Sequence, residues 1–289
     1  METRGPPSRG PATTSRRGLA AARLQTVVEV SEQLRGRTAP ISQAAEWLGT
    51  AQKHLAQCDA LLAARDYTGA YVSAKHAMRS LRLVERAQWE PAVAGLFSPV
   101  ASPLAVSYRT LPDHVSFVQR VLRSQPGANL LAGGDFEDVG LMLQTGWRHF
   151  QHVTRGVESA ADLSPASAHS GRSGLRLVAR SLEPSDSTAQ LESPPVWITS
   201  PPVPVEAGQT LRIQGWVRIP KPIAGSVDGL LIVDSLGGEA LAAHVTQSPR
   251  WRQFALYRVA PQSGSMTVTF ALTGLGEVWL DDVTIQPIP

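Results

Sequence analysis

The 289-residue chain carries 27 Lys and Arg against 24 Asp and Glu, and 43% of it is hydrophobic, enough length and apolar material for two modest domains. No run approaches the ~18 to 20 consecutive apolar residues of a membrane helix, and the N-terminus lacks the apolar core of a secretory signal, so no membrane partner is expected. The single Cys58 excludes an intramolecular disulfide and a multi-cysteine zinc site.

The opening "METRGPPSRGPATTSRRG" is polar and rich in Pro, Gly and Arg, a composition that cannot bury enough surface to fold. Residues 1–18 are therefore expected to be a disordered, linker-like tail. Arg4, Arg9, Arg16 and Arg17 against Glu2 account for the whole net charge of +3, which leaves the remainder neutral. Phosphate backbones are bound by a basic stripe on a folded face or by a denser basic tail, so no nucleic-acid partner is expected.

Residues 19–92 read as a helical hairpin with a short lead-in helix. Leu24, Val27, Val28 and Leu34 recur at helical spacing from Ala20 to Arg37, and Gly36 with Pro40 supplies a stop. Ser42 stands as an N-cap before a second helix whose stripe is Leu48, Ala51, Leu55, Cys58 and Leu62. After the "DYTG" turn, Ala70, Ala74, Ala77, Leu81 and Val84 trace a third helix, with small residues for close packing. Trp89 followed by Pro91 is expected to mark its end. The stretch from Leu55 to Ala70 resembles part of a tetratricopeptide unit, but solenoids need about three copies and no second is present. Cys58 lies four residues after His54, but His76 has only Arg79 and Ser80 at the matching offsets, so both histidines are expected to face solvent or cap.

Residues 93–126 read as an extended, proline-rich connector carrying a short helix. That helix is capped by Asp113 and bears Val115, Val118 and Leu122.

Beyond Gly127 the hydrophobic period changes to two. "SGLRLVAR", "QTLRIQGWVRI", "DGLLIVDS", "WRQFALYRVA", "SMTVTFAL" and "EVWLDDVTIQ" alternate apolar and polar residues between Gly, Pro, Ser or Asp. With "NLLAGGDFE", "RHFQHVTR" and "PPVWITSPPVPV" this predicts about nine strands, no helix, and an antiparallel β-sandwich over residues 127–289. The fold class is thus α+β in two segments, a helical hairpin followed by a sandwich.

The ordered signatures "NLLAGGDFE", Trp147, "SAHSGRSGLRLV", "VEAGQTLRIQGWVR", "WRQFALYRV" and "VWLDDVTI" resemble the galactose-binding-like jelly rolls of cellulose- and xylan-binding carbohydrate-binding modules. With its helical lead-in, the chain also resembles the C-terminal part of large bacterial multidomain proteins, some with glycosidase-like domains upstream. The resemblance implies an upstream domain as partner, and an extracellular or periplasmic location if the chain is a fragment of a secreted protein.

The resemblance further implies a structural Ca²⁺ between the first strand's acid, the Ser-Gly loop and the last strand. Carried over residue by residue, its ligands are Glu137, His169 to Gly171 in the loop, and Asp281 or Asp282. Calcium takes ~6 to 8 oxygens from carboxylates and carbonyls. Strand alternation places Asp281 with Val283 and Ile285, hence inward, where a buried carboxylate needs a partner. The alternative is that these acids accept hydrogen bonds from backbone amides near strand ends.

No catalytic constellation stands out. Glu137 and Asp281 as a glycosidase pair would need a cleft with an aromatic platform. Ser170, His244 and Asp228 form a triad only on paper, without a G-x-S-x-G elbow, and no phosphate loop is present. A non-catalytic module that binds a polysaccharide or other glycan is expected, with Trp197, Trp279 and Tyr257 as sugar contacts and Trp147, Trp216 and Trp251 as structural residues. The alternatives are a protein-interaction sandwich without a sugar ligand, or the accessory end of a glycoside hydrolase.

Overall fold

The computed structural model describes residues 10–94, 107–182 and 191–289. They divide into two compact units, with the boundary inside one helix after Arg120.

The first unit is built on α1 (Gly10–Leu34), α2 (Ala44–Ala63) and α3 (Tyr67–Val93). The small residues Ala70, Ala74 and Ala77 on α3 are fully buried, and Ala70 and Ala74 pack with Cys58 of α2. The first helix is no short lead-in. Its Ala20 packs with Leu55 and Ala77, and its Val27 packs with Ala51, Leu81 and Val84, so the expected hairpin is a three-helix bundle.

This packing also corrects the expected tail, because residues 10–18 are helical. Thr13 is buried and donates to the Tyr67 carbonyl at 3.3 Å, and Arg17 grips Asp59 with two bonds of 2.7 and 2.8 Å. Local composition argued for a linker, and contacts made about fifty residues away supply the missing burial. Residues 1–9 lie outside the described residues.

Three boundary readings change. The N-cap position of α2 is Gln43, with no side-chain cap, so Ser42 does not cap it. Helix α3 continues through Pro91 to Val93. Asp113 lies within the first turn of α4 (Leu111–Arg123) rather than at its cap. Leu111 and Val115 of α4 bury against Val30 and Leu34 of α1, with Trp89 packed alongside. Asp66 does cap locally, accepting from the Gly69 amide at 2.9 Å.

The second unit is a sandwich of two five-stranded antiparallel sheets. Sheet A contains β1 (Arg148–Gln151), β4 (Val196–Thr199), β7 (Leu230–Asp234), β8 (Ala243–Val245) and β11 (Val268–Leu272), in the order β1-β4-β11-β7-β8. Sheet B contains β2 (Val157–Ser164), β3 (Gly174–Ser181), β6 (Thr210–Ile219), β9 (Ser248–Val259) and β12 (Gly276–Ile288), in the order β2-β3-β12-β6-β9. A small ladder pairs β5 (Val203–Val205) with β10 (Gly264–Met266). Between the sheets lie Leu175, Leu177, Ile213, Val217, Phe254, Leu256 and Leu280 from sheet B, facing Ile198, Ile232, Val268 and Phe270 from sheet A.

Two expectations for this half are revised. The stretch around "NLLAGGDFE" is not a regular strand. It runs beside β12 through Leu130 N–H to Ile285 O at 2.8 Å and Val283 N–H to Gly134 O at 2.7 Å. A Cβ on Gly134 would sit 2.1 Å from the Val283 carbonyl oxygen, so only glycine allows this approach. A seven-residue helix, α5 (Val139–Thr145), follows, its N-cap Asp138 accepting from the Gly140 and Leu141 amides.

Candidate functional site

The two ends of the sandwich meet at the loop between β2 and β3, residues 165–173. Glu137, from the entry stretch, accepts from the Arg172 amide at 2.8 Å and the Ser173 amide at 3.2 Å. These amides hold its carboxyl below its ordinary value. Gly171 has φ +63, and a Cβ there would lie 2.0 Å from Glu137 Oε1, so the glycine satisfies both the left-handed turn and the close carboxylate.

From the opposite side, Asp281 of β12 accepts from the His169 amide at 2.7 Å, the Ser170 amide at 3.0 Å and the Asp282 amide at 2.8 Å. Asp281 is fully buried, and that burial pushes its carboxyl above the ordinary range, opposed by the three amides. Asp282 receives His169 Nδ1 at 2.8 Å and the Ser170 hydroxyl at 2.8 Å.

Simple alternation misplaces Asp281. The β12–β6 register shifts between Asp281 and Thr284, and Asp282 has φ +51. This bulge lets Leu280 and Val283 both enter the core, which reverses the expected parity. Asp281 therefore lies on the side away from the core and is buried because the loop covers it.

These residues fit the amide reading better than a calcium cradle. A cation site needs several oxygens converging on one point, whereas the groups aimed at Glu137 and Asp281 are N–H donors. Among the described residues, no group of three or more His, Cys, Asp or Glu side chains is placed to hold a metal ion. The same geometry argues against a glycosidase pair, since both acids grip one loop rather than face each other across a cleft.

The paper triad also comes apart. Asp228 and His244 do pair at 3.0 Å, but Ser170 is bonded to Asp282.

The predicted sugar contacts divide among different surfaces. Tyr257 is buried and offers no ring face. Trp279 is half-buried on the outer side of sheet B, with the Arg218 guanidinium 4.7 Å above its ring and its Nε1 donating to Glu277 at 2.7 Å. Trp216 is stacked on the His169 ring at 4.1 Å and 15°, and Trp251 meets the same ring edge-on at 5.3 Å. Trp251 in turn lies 6.4 Å from Trp279, and all three tryptophans are half-buried. Trp147 is buried, with Nε1 bonded to the Ala132 carbonyl at 2.9 Å.

Trp197 has a different setting. Val196 and Ile198 point into the core, so Trp197 and Thr199 point out from sheet A. The register places Phe150 opposite Trp197 and Arg148 opposite Thr199, with Ala271 and Thr269 next across the sheet and then Leu231 and Val233. His244 lies opposite Leu231. Phe150, 40% exposed, lies nearly parallel to Trp197, with ring centroids 5.5 Å apart and 13° between planes. One row is thus Phe150, Trp197, Ala271, Leu231 and the His244–Asp228 pair, in which Ala271 is buried. The neighbouring row carries exposed Arg148 and the Thr199–Thr269 hydroxyl pair at 2.9 Å.

Phe150, Arg148 and the threonine pair escaped the sequence reading. "RHFQHVTR" reads as a strand, but which strand it joins depends on long-range register. A second unforeseen feature is the fully buried Asp234–Arg258 ion pair at 2.7 Å. Arg258 is also satisfied by the carbonyls of Tyr257 and Leu241.

No protein-family model matches the chain, and no curated protein matches it. Solved structures similar to it include three carbohydrate-binding modules. The CBM22-1 xylan-binding domain from Paenibacillus barcinonensis Xyn10C is 17% identical, with 57% of this chain and 97% of that chain covered and a TM-score of 0.35. TmCBM61, in complex with beta-1,4-galactotriose, is 18% identical, with coverages of 55% and 98% and a TM-score of 0.35. A CBM4 structure is 14% identical, with coverages of 54% and 97% and a TM-score of 0.39.

Proposed function

We propose that the outer face of sheet A is a carbohydrate-binding surface and that the chain acts as a non-catalytic binding or targeting module. The observation that carries this reading is the near-parallel Phe150–Trp197 pair on the solvent side of the sheet, beside Arg148 and the Thr199–Thr269 hydroxyls. Sugar rings present an apolar face of C–H groups rimmed by hydroxyls, and such ligands call for aromatic surface with a few placed hydrogen-bonding groups. The row continues across the strands through Ala271 to Leu231, the direction in which a polysaccharide chain would lie.

The loop clasp formed by Glu137, Asp281 and Asp282 serves structure in this reading. It ties the entry stretch and the last strand to the β2–β3 loop by amide–carboxylate bonds, charge-assisted contacts stronger than neutral ones.

Affinity electrophoresis of the full chain in gels of xylan, mixed-linkage glucan and β-1,4-galactan tests the proposal. Retardation by at least one polysaccharide is expected, and it should be lost in Trp197→Ala and in Phe150→Ala while Trp279→Ala remains retarded. Equal migration of the parent chain in all gels and in a polysaccharide-free gel would overturn the proposal.

A further inference from the structure

The helical unit carries a separate charged surface that the sugar-binding reading does not use. Between Gly10 and Val28, α1 has Arg16, Arg17 and Arg23 but no carboxylate, and between Tyr67 and Val84, α3 has Lys75, Arg79 and Arg82 but no carboxylate. Where cations on these helices are structural, a carboxylate answers them. Arg17 pairs with Asp59, Arg23 with Glu85, and Arg86 with Glu90.

Arg16, Lys75, Arg79 and Arg82 have no such partner among the described residues. Together with Leu19 and Met78 they line a groove of about 640 Å³. Lys75, Arg79 and Arg82 stand at i, i+4 and i+7 on one exposed face of α3, where like charges weaken a helix. Arg16 faces them from α1, its guanidinium held 4.6 Å over the Tyr71 ring.

We infer that this groove is a binding site for a ligand bearing two or more phosphate or sulfate groups. The α3 cations span about 10 Å along the helix axis at 1.5 Å per residue. That span separates neighbouring anionic groups on one ligand rather than surrounding a single ion. Guanidinium forks match the paired oxygens of a tetrahedral oxyanion, and Lys adds a point charge. The unanswered repulsion along α3 is relieved when the ligand binds, so binding and helix stability are coupled. Free oligophosphates and sulfated glycans share this chemistry.

The test uses calorimetric titration of the full chain with tripolyphosphate, with a sulfated dextran oligosaccharide and with unsulfated dextran of the same length, in about 50 mM salt. The expected result is binding of at least one charged probe with Kd below about 1 mM and none of the unsulfated dextran. The stronger charged probe identifies the source. The variant Lys75→Gln/Arg79→Gln/Arg82→Gln should lose at least about tenfold in affinity while melting at or above the parent temperature, since it removes only exposed like charges. A control with the same charge loss elsewhere, Arg35→Gln/Arg180→Gln/Arg250→Gln, should change affinity less than about twofold. Failure of both charged probes to bind, or equal losses in the two variants, overturns the inference. So does a duplex oligonucleotide that binds more tightly than either probe through the same three residues, which would make the groove a nucleic-acid site.

Discussion

Replacing Asp281 by Asn tests whether the loop clasp is held by amides or by a cation. Asp281 is fully buried and takes three backbone N–H bonds, two on Oδ2 and one on Oδ1. Asparagine keeps one carbonyl oxygen, so at least one amide is left facing an NH₂ group. Hydrogen bonds to a charged acceptor contribute about 1.5–3 kcal/mol, and an orphaned buried donor costs about 1–3 kcal/mol. The raised carboxyl of Asp281 means the parent carries a desolvation penalty that Asn escapes, which offsets part of this loss. The expected net loss is about 2 kcal/mol. It would be read from guanidinium unfolding followed by tryptophan fluorescence, because five of the seven tryptophans lie in the sandwich. Amide exchange at His169 and Ser170 should accelerate in the same variant. With chelator the parent should unfold at the same denaturant concentration. A loss under about 0.5 kcal/mol would refute the amide clasp. A parent stability that falls on chelation while the variant's does not would replace it with a cation site.

Further outcomes follow from other parts of the structure. Arg258→Met leaves Asp234 charged and buried and should destabilise the sandwich by about 3–5 kcal/mol, whereas adding Asp234→Asn should recover at least about 1 kcal/mol, as measured by denaturation of both variants. Glu137 is held below its ordinary 4.5, so its contribution is complete above that pH and is lost as pH falls through the folded-state value. Thermal melts of Glu137→Gln should therefore decline less steeply than the parent's below pH 4.5. Asp281 acts with the opposite sign. Its raised folded-state value makes stability fall as pH rises from 3.8, a slope that Asp281→Asn should remove. On a polysaccharide that retards the parent, Trp197→Ala should weaken binding by roughly tenfold or more, an effect of about 1.4 kcal/mol, measurable by affinity electrophoresis.

The switch from helical to strand periodicity near Gly127 marked the change from a helix-rich to a strand-rich stretch, and the alternation of "QTLRIQGWVRI" marked β6 with its inner and outer faces. The glycines and acids of "NLLAGGDFED" marked a junction, and its Glu137 does meet the loop expected to face it. These features are local, since period, breakers and capping groups act within a few residues.

What tertiary structure alone decided depends on partners distant in sequence. Arg16 and Arg17 read as linker until Tyr71 and Asp59 stand beside them. Phe150 becomes part of an aromatic face only because β1 pairs with β4 and brings it against Trp197. Tyr257 is removed as a contact by burial, and Asp281 changes sides because one bulge shifts the parity of β12. The sequence by itself determined that a helix-rich part precedes a strand-rich one and which residues alternate along strands such as β6. Register, the bulge and side-chain burial required the fold, because a one-residue shift in pairing exchanges the two faces of a strand.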